Sequence, residues 1–268
     1  MFGKKTAAGD PKTDFPYWLL AACGIGIFLL FQIATDDIYT QVMRTVSRGV
    51  GITIFVTLVG FFLASVLGLL LALASLSGSL VLRQVARFYV EIVRGLPIMV
   101  LLLYIAFVAT PLIVMSLNAI LEPLGVDAIR TRDFPLLWRA VVALMIGYSA
   151  FIAEVFRAGI QAVDTGQIEA AKALGLNRWL RFRLIVFPQA LKTILPPLGN
   201  DFIAMIKDSS LVSVLGVADI TQLGKIYAAS SFRFFETYNV VALIYLMMTI
   251  TLSLALRKFE RTRDIGER

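Results

Sequence analysis

Apolar residues in this chain are gathered into long runs, and that arrangement leaves few folds open. The runs cover residues 17–33, 50–75, 96–117, 136–156, 198–217 and 238–256. A bilayer core takes about 20 apolar residues per helical crossing. Lipid offers no partner to backbone N–H and C=O groups, so a spanning run satisfies them internally as a helix. With 59% hydrophobic residues and a mean hydropathy of +0.83, the chain exceeds the apolar share of soluble domains. The expectation is an all-α, polytopic membrane protein with about six transmembrane helices.

Charge supplies the orientation. The net charge of +7 does not mark a nucleic-acid partner, because basic residues sit at the ends of apolar runs rather than in one patch. With both termini cytoplasmic, the outer side holds Arg44, Arg48, Arg130, Arg132, Arg139, Lys225 and Arg233, and Lys207 lies within a span. The remaining Lys and Arg fall inside, as the positive-inside rule asks. Residues 1–16, with Lys4, Lys5 and Lys12, form a cytoplasmic tail, and 262–268 form another. The run at 17–33 has the basic flank of a signal peptide but no convincing small-residue cleavage pattern before Arg48, so 17–48 reads as a retained span and an outer loop.

Several chemistries are excluded. Histidine is absent, which removes the commonest general base and metal ligand. Cys23 is the one cysteine, so no disulfide forms within the chain and a free thiol among apolar residues is expected. No G-x-x-x-x-G-K-[ST] stretch or glycine-flanked serine occurs, so neither nucleotide binding by the usual loop nor catalysis is expected. Catalytic residues, metal ligands and cofactors are all expected to be none in this chain.

Polar residues within the runs are the candidates for function. Thr53, Thr57 and Ser65 should face other helices, and Gly51, Gly60 and Gly68 permit close helix approach. A basic connector carries Arg83, Arg87 and Arg94, where Glu91 and Arg94 are spaced to pair on one helix face. Pro97 opens the third span, which contains Pro111. Arg139 stands at the start of the fourth span, and Glu154 with Arg157 at its end, spaced for a gate or a structural pair. Lys207 and Asp208 lie about 15 Å into the fifth span at helical rise, near mid-membrane. They read as a mutually satisfied pair or, with Ser209, Ser210 and Thr57, as contacts along a substrate pathway. Ser209 and Ser210 could cap a broken helix there, while Asn200 and Asp201 are expected to cap the span's start.

Residues 161–201, QAVDTGQIEAAKALGLNRWLRFRLIVFPQALKTILPPLGND, are too polar for lipid yet not loop-like. Asp164 and Gln167 are spaced as an N-cap with its capping box. Gly175 suits a left-handed C-terminal residue. Asn177 can cap a second helix over 178–187, where Arg178, Arg181 and Arg183 alternate with Trp179, Phe182 and Ile185 until Pro188 stops it. By itself this could be a basic hairpin lying on headgroups.

The order Glu169-Ala170-Ala171, Gly175, Ile185 and Pro188 resembles the EAA loop of permease subunits of ATP-binding-cassette importers. The one departure is Phe187, where the family commonly has Leu. YVEIVRGLP from Tyr89, AEVFRAGI from Ala153, GQIEAAKALGL from Gly166, FPQAL from Phe187, MIKDSSLVSVLGV from Met205 and ALIYL from Ala242 are similar to the branch carrying polar amino acids, of the histidine, glutamine, glutamate and arginine uptake type. The likeness covers roughly 49–261 and leaves the first span as an addition.

The resemblance implies a type I importer transmembrane fold over 49–261, in which 161–197 is cytoplasmic. Its coupling helix, with Glu169, Ala170, Ala171, Gly175 and Leu176, would dock on a separate ATPase dimer that holds ATP and Mg. A second permease chain, identical or related, and an external amino acid-binding protein complete the set of partners. The location implied is the bacterial cytoplasmic membrane. Another small polar solute, such as an opine or amino acid derivative, is the alternative cargo. An ion-coupled secondary transporter fits less well, because such folds usually show two related halves and no internal repeat is evident.

Overall fold

The computed structural model describes residues 17–125 and 127–265. Residues 1–16 and 266–268, within the two expected tails, lie outside that description, as does the Cys23 side chain. The chain order is α1 (Tyr17–Thr35), α2 (Asp37–Val46), α3 (Val50–Ser75), α4 (Leu80–Gly95), α5 (Ile98–Tyr104), α6 (Thr110–Leu121), α7 (Leu136–Gln161), α8 (Thr165–Ala173), α9 (Arg178–Arg181), α10 (Phe187–Asp208), α11 (Ile220–Ser231) and α12 (Phe234–Ile265). The described residues contain no strand.

Four helical segments are long and apolar enough to cross a bilayer: Asp37–Ser75, Ile98–Leu124, Leu136–Gln161 and Phe234–Glu260. Of the other two expected crossings, α1 carries a shorter apolar stretch, Gly24–Thr35. The run at 198–217 becomes the second half of α10 followed by a tight 3-10 turn, Ser209–Leu215.

Helix α7 is the centre. Its spanning window is 61% buried, against 28%, 22% and 22% for the other three. Leu144 and Ile152 are enclosed with Val56 of α3, Leu102 of α5, Met205 of α10 and Val212. Gly68 lets α3 press against α7, since a Cβ there would lie 2.9 Å from an Ile152 methyl and 3.0 Å from the Ser149 carbonyl. Small residues at such crossings are what packing in lipid requires. The expected close approach at Gly51 does not occur: nothing lies within 4 Å of a Cβ there.

The segment expected as an outer loop is helical. Asp36 caps α2 by accepting from the Ile38 and Tyr39 N–H groups, and Tyr39, Val42 and Val46 pack on Ile220, Val240 and Ile244 of α11 and α12. Its apolar residues recur at helical spacing, a signal hidden by the acidic pair before it. At Gly49 the chain runs directly onto the backbone of Asp219 and Ile220, with no room for a Cβ.

Two prolines are absorbed by the same device. Proline lacks an N–H and its ring collides with the carbonyl four residues earlier. Before Pro111 the helix widens into a π turn, Ile105–Ala109, closed by the Thr110 N–H on the Ile105 carbonyl. Before Pro188 it widens over Phe182–Val186, closed by the Phe187 N–H on the Phe182 carbonyl. Pro188 therefore does not stop the second hairpin helix, which continues through the wide turn into α10. For the same reason Asn200 and Asp201 lie inside α10 and cap nothing.

Candidate functional site

The hairpin between α7 and α10 starts from a tight crossing. Gly159 faces Ile194 where a Cβ would have no room, and Val163 is buried with Ala190 and Ile194. Asp164 then starts α8 by accepting the Gly166 N–H at 2.6 Å. The reciprocal half of the expected capping box is absent, because the Gln167 side chain turns instead to α10, where its Oε1 accepts from Gln189 Nε2 at 2.5 Å. Gly175 has φ +74°. There the Leu176 N–H reaches back to the Ala171 carbonyl at 3.1 Å and the Gly175 N–H to that of Lys172 at 2.9 Å, the pairing that ends a helix through a left-handed residue. Asn177 caps α9 through the Leu180 N–H at 2.9 Å.

This geometry sorts the expected coupling residues. Ala171 is 3% exposed and faces the body of the protein. Glu169, Ala170 and Gly175 are exposed, Leu176 half-buried, and Leu174 beside them is 80% exposed. A short helix thus presents a carboxylate, small side chains and one apolar side chain outward, a surface suited to a groove on another protein.

The expected in-span contacts are only partly brought together. Lys207 is exposed and Asp208 does not pair with it; Asp208 Oδ2 accepts from the Tyr148 hydroxyl of α7 at 2.8 Å. Successive helix positions point about 100° apart, so neighbours rarely share a partner. Ser209 is buried and donates to the Ile206 carbonyl at 2.7 Å, while Ser210 is half-buried. The break lies at the C-terminus of α10 and continues as a 3-10 turn to Gly216 at φ +79°. It therefore bares no helix N-terminus, contrary to the cap expected at these serines. Thr57 is buried, donates to the Thr53 carbonyl at 2.8 Å, and borders an apolar cavity of about 430 Å³ between α3, α10 and α12.

Comparison with known proteins decides what this scaffold is. Residues 64–263 match the family described as the inner membrane component of binding-protein-dependent transport systems. The chain belongs to that family. It is 36% identical over 218 residues to the glutamine transport system permease protein GlnP of Escherichia coli (strain K12), covering 81% of this chain and 92% of that one. It is 32% identical over 217 residues to the probable amino-acid permease protein YxeN of Bacillus subtilis (strain 168), covering 81% and 90%. Among solved structures it resembles an amino acid ABC transporter with histidines, with 39% identity and a TM-score of 0.69 over 84% of this chain and 95% of that one. The inward-facing MetNI methionine ABC transporter, at 22% identity and a TM-score of 0.63, shares the fold. The chain is thus an all-α, multi-pass inner-membrane permease of the ABC importer class.

In this permease the two E-x-x-R pairs meet. Glu91 and Arg94 of α4, with Glu154 and Arg157 of α7, border one polar cavity of about 330 Å³ together with Arg87 and Gln161. Arg157 is held by Glu154, Nη2 to Oε2 2.5 Å, and by Gln161 at 2.7 Å. Glu91 and Arg94 do not form the expected pair among the described residues; the Arg94 guanidinium lies over the Phe151 ring, 5.5 Å from its centroid.

Three polar positions carry more structure than the sequence suggested. Arg139 is buried and donates to the carbonyls of Phe134 at 2.9 Å, Ala106 at 3.0 Å and Thr131, tying the 118–135 loop to the bundle. Asp219 caps α11 through the Gln222 N–H at 2.8 Å and receives the Tyr245 hydroxyl at 3.2 Å. Burial pushes its carboxyl up, against the opposing pull of those hydrogen bonds. Asp201 Oδ2 is enclosed without a hydrogen-bond partner. An arginine at a span boundary was a visible signal for the first, and Gln222 three residues after Asp219 is the pattern of a cap; Asp201 was expected as a cap, and its enclosure inside α10 had no sequence signal.

Proposed function

We propose that this permease moves polar amino acids by alternating access, with α8 as the coupling helix on a separate ATPase. The observation that carries the reading is the exposed face of α8 and its glycine turn, Glu169, Ala170, Leu174 and Gly175, borne on a hairpin outside the four apolar helices. The amino acid cargo of the relatives named above supports the substrate class. In this reading both termini and the hairpin are cytoplasmic, the permease pairs with a second permease chain, and an external binding protein delivers the cargo. ATP and Mg belong to the ATPase dimer, and this chain catalyses no reaction itself. Closure of the ATPases would move α8, and through α7 and α10 the spans that border Thr57, Asp208, Ser209 and Ser210.

The test is reconstitution of the permease with its ATPase and binding protein in liposomes, measuring ATP-dependent uptake of labelled amino acids. Glu169→Lys reverses the charge on an exposed side chain, so the chain should fold normally while uptake and transport-stimulated ATP hydrolysis disappear. Uptake that proceeds without ATP, or follows a proton or sodium gradient, sinks the reading.

A further inference from the structure

Helix α4 has three faces, and the usual pairing of one apolar face with one polar face does not describe it. Ala86, Val90 and Val93 are buried, and the helix packs against α7 and α3. Val81, Val85, Phe88 and Ile92, spaced four, three and four residues apart, form an exposed apolar stripe. Arg87, Glu91 and Arg94 form a third stripe that borders the polar cavity described above. Such a helix belongs at the boundary between acyl chains and headgroups.

The cavity carries an excess of positive charge. Arg87, Arg94 and Arg157 stand against Glu91 and Glu154. Arg157 is occupied by Glu154 and Gln161, whereas Arg87 and Arg94 have no carboxylate within ion-pair distance among the described residues. A guanidinium fork is suited to phosphate oxygens, and a neighbouring apolar stripe is suited to the acyl chains attached to such a phosphate. We infer that this cavity seats the phosphodiester headgroup of an acidic phospholipid, held by Arg87 and Arg94, with its chains along Val81, Val85, Phe88 and Ile92. Only the assignment to the cytoplasmic leaflet rests on the orientation proposed above. The bound lipid would also brace Gln161, the last residue of α7, three positions before the Asp164 cap of α8.

The full-length chain in detergent, titrated with phosphatidylglycerol or phosphatidylcholine and observed by native mass spectrometry, tests this without any transport assay. A failed importer reading therefore leaves the result interpretable. Wild type should retain phosphatidylglycerol in preference to phosphatidylcholine. Removing both arginines, Arg87→Ala with Arg94→Ala, should weaken that retention by roughly tenfold or more, one lost charge-assisted bond being worth about that factor. Arg132→Ala, on the loop at the far end of α7, should leave it unchanged, and Glu91→Gln should strengthen it. If the double variant does not fold, Arg87→Ala alone, on an exposed position, decides. Equal retention by the arginine variants, no preference between lipids, no gain from Glu91→Gln, or displacement of the lipid by inorganic phosphate overturns the inference.

Discussion

The two π turns use one device in two settings. In each, a five-residue wide turn is followed by one residue and then a proline, Ile105–Ala109 before Pro111 and Phe182–Val186 before Pro188. A π turn would pair the carbonyl five residues before each proline with an N–H that proline does not have. At the first turn that carbonyl belongs to Ala106, and the buried Arg139 guanidinium takes it; the Thr110 hydroxyl adds a bond to Ile105 O at 2.7 Å. At the second turn it belongs to Arg183, an exposed residue. The side chain that holds this turn is Gln189, bonded to the Ile185 carbonyl at 3.0 Å and to Gln167 of α8 at 2.5 Å. Inside the bundle the defect is sealed by the protein, because lipid cannot satisfy a carbonyl. At the hairpin it is tied to the helix that is proposed to move.

Breaking the seal should have the largest effect. Arg139→Leu leaves the buried Ala106 carbonyl without its donor and releases the part-buried carbonyls of Thr131 and Phe134, and thermal unfolding in detergent should show a loss of about 2–3 kcal/mol, the upper part of the roughly 1–3 kcal/mol for one buried unsatisfied group. A variant as stable as wild type would mean that the first turn needs no seal, and the contrast would fail. Next in size is Gly175→Ala, which forces a side chain into φ +74° at a cost of about 1–2 kcal/mol. Its signature should be faster proteolysis within 165–177, with the global unfolding temperature little changed.

Thr110→Val removes one hydroxyl from the sealed turn and should cost about 1 kcal/mol in the same unfolding assay. Gln189→Ala should be smallest in stability, below about 1 kcal/mol because the Gln189 to Gln167 bond is exposed. Yet it should lower transport per ATP hydrolysed, which Thr110→Val should not. Equal transport by the two variants would remove the functional half of the comparison.

Much of the fold was readable because lipid simplifies the problem. The bounds of α3 could be read directly from an uninterrupted apolar run, and the caps at Asp164 and Asn177 and the reversal at Gly175 from local chemistry that needs no partner. What the sequence hid depended on distant contacts. Pro188 reads as a stop, and only the wide turn before it shows why the helix continues. Asp208 sits next to Lys207 in sequence, but its partner Tyr148 lies on another helix. Glu91 and Arg94 have the right spacing to pair, and an aromatic ring on α7 takes the arginine instead. Asp219, followed three residues later by Gln222, has the local pattern of a helix cap, but nothing near it in sequence marks its bond to Tyr245 of α12.

The seating of Gly49 on the Asp219–Ile220 backbone bears on how this protein can be shortened. The family match begins at residue 64, within α3, so a designer guided by that match alone would trim everything before it. That cut would leave Ile220, Val240 and Ile244 without Tyr39, Val42 and Val46, and remove the first turns of a central span. The limits of the family match and the limits of the cooperative folding unit fall at different places in this chain, and a truncation should respect the second.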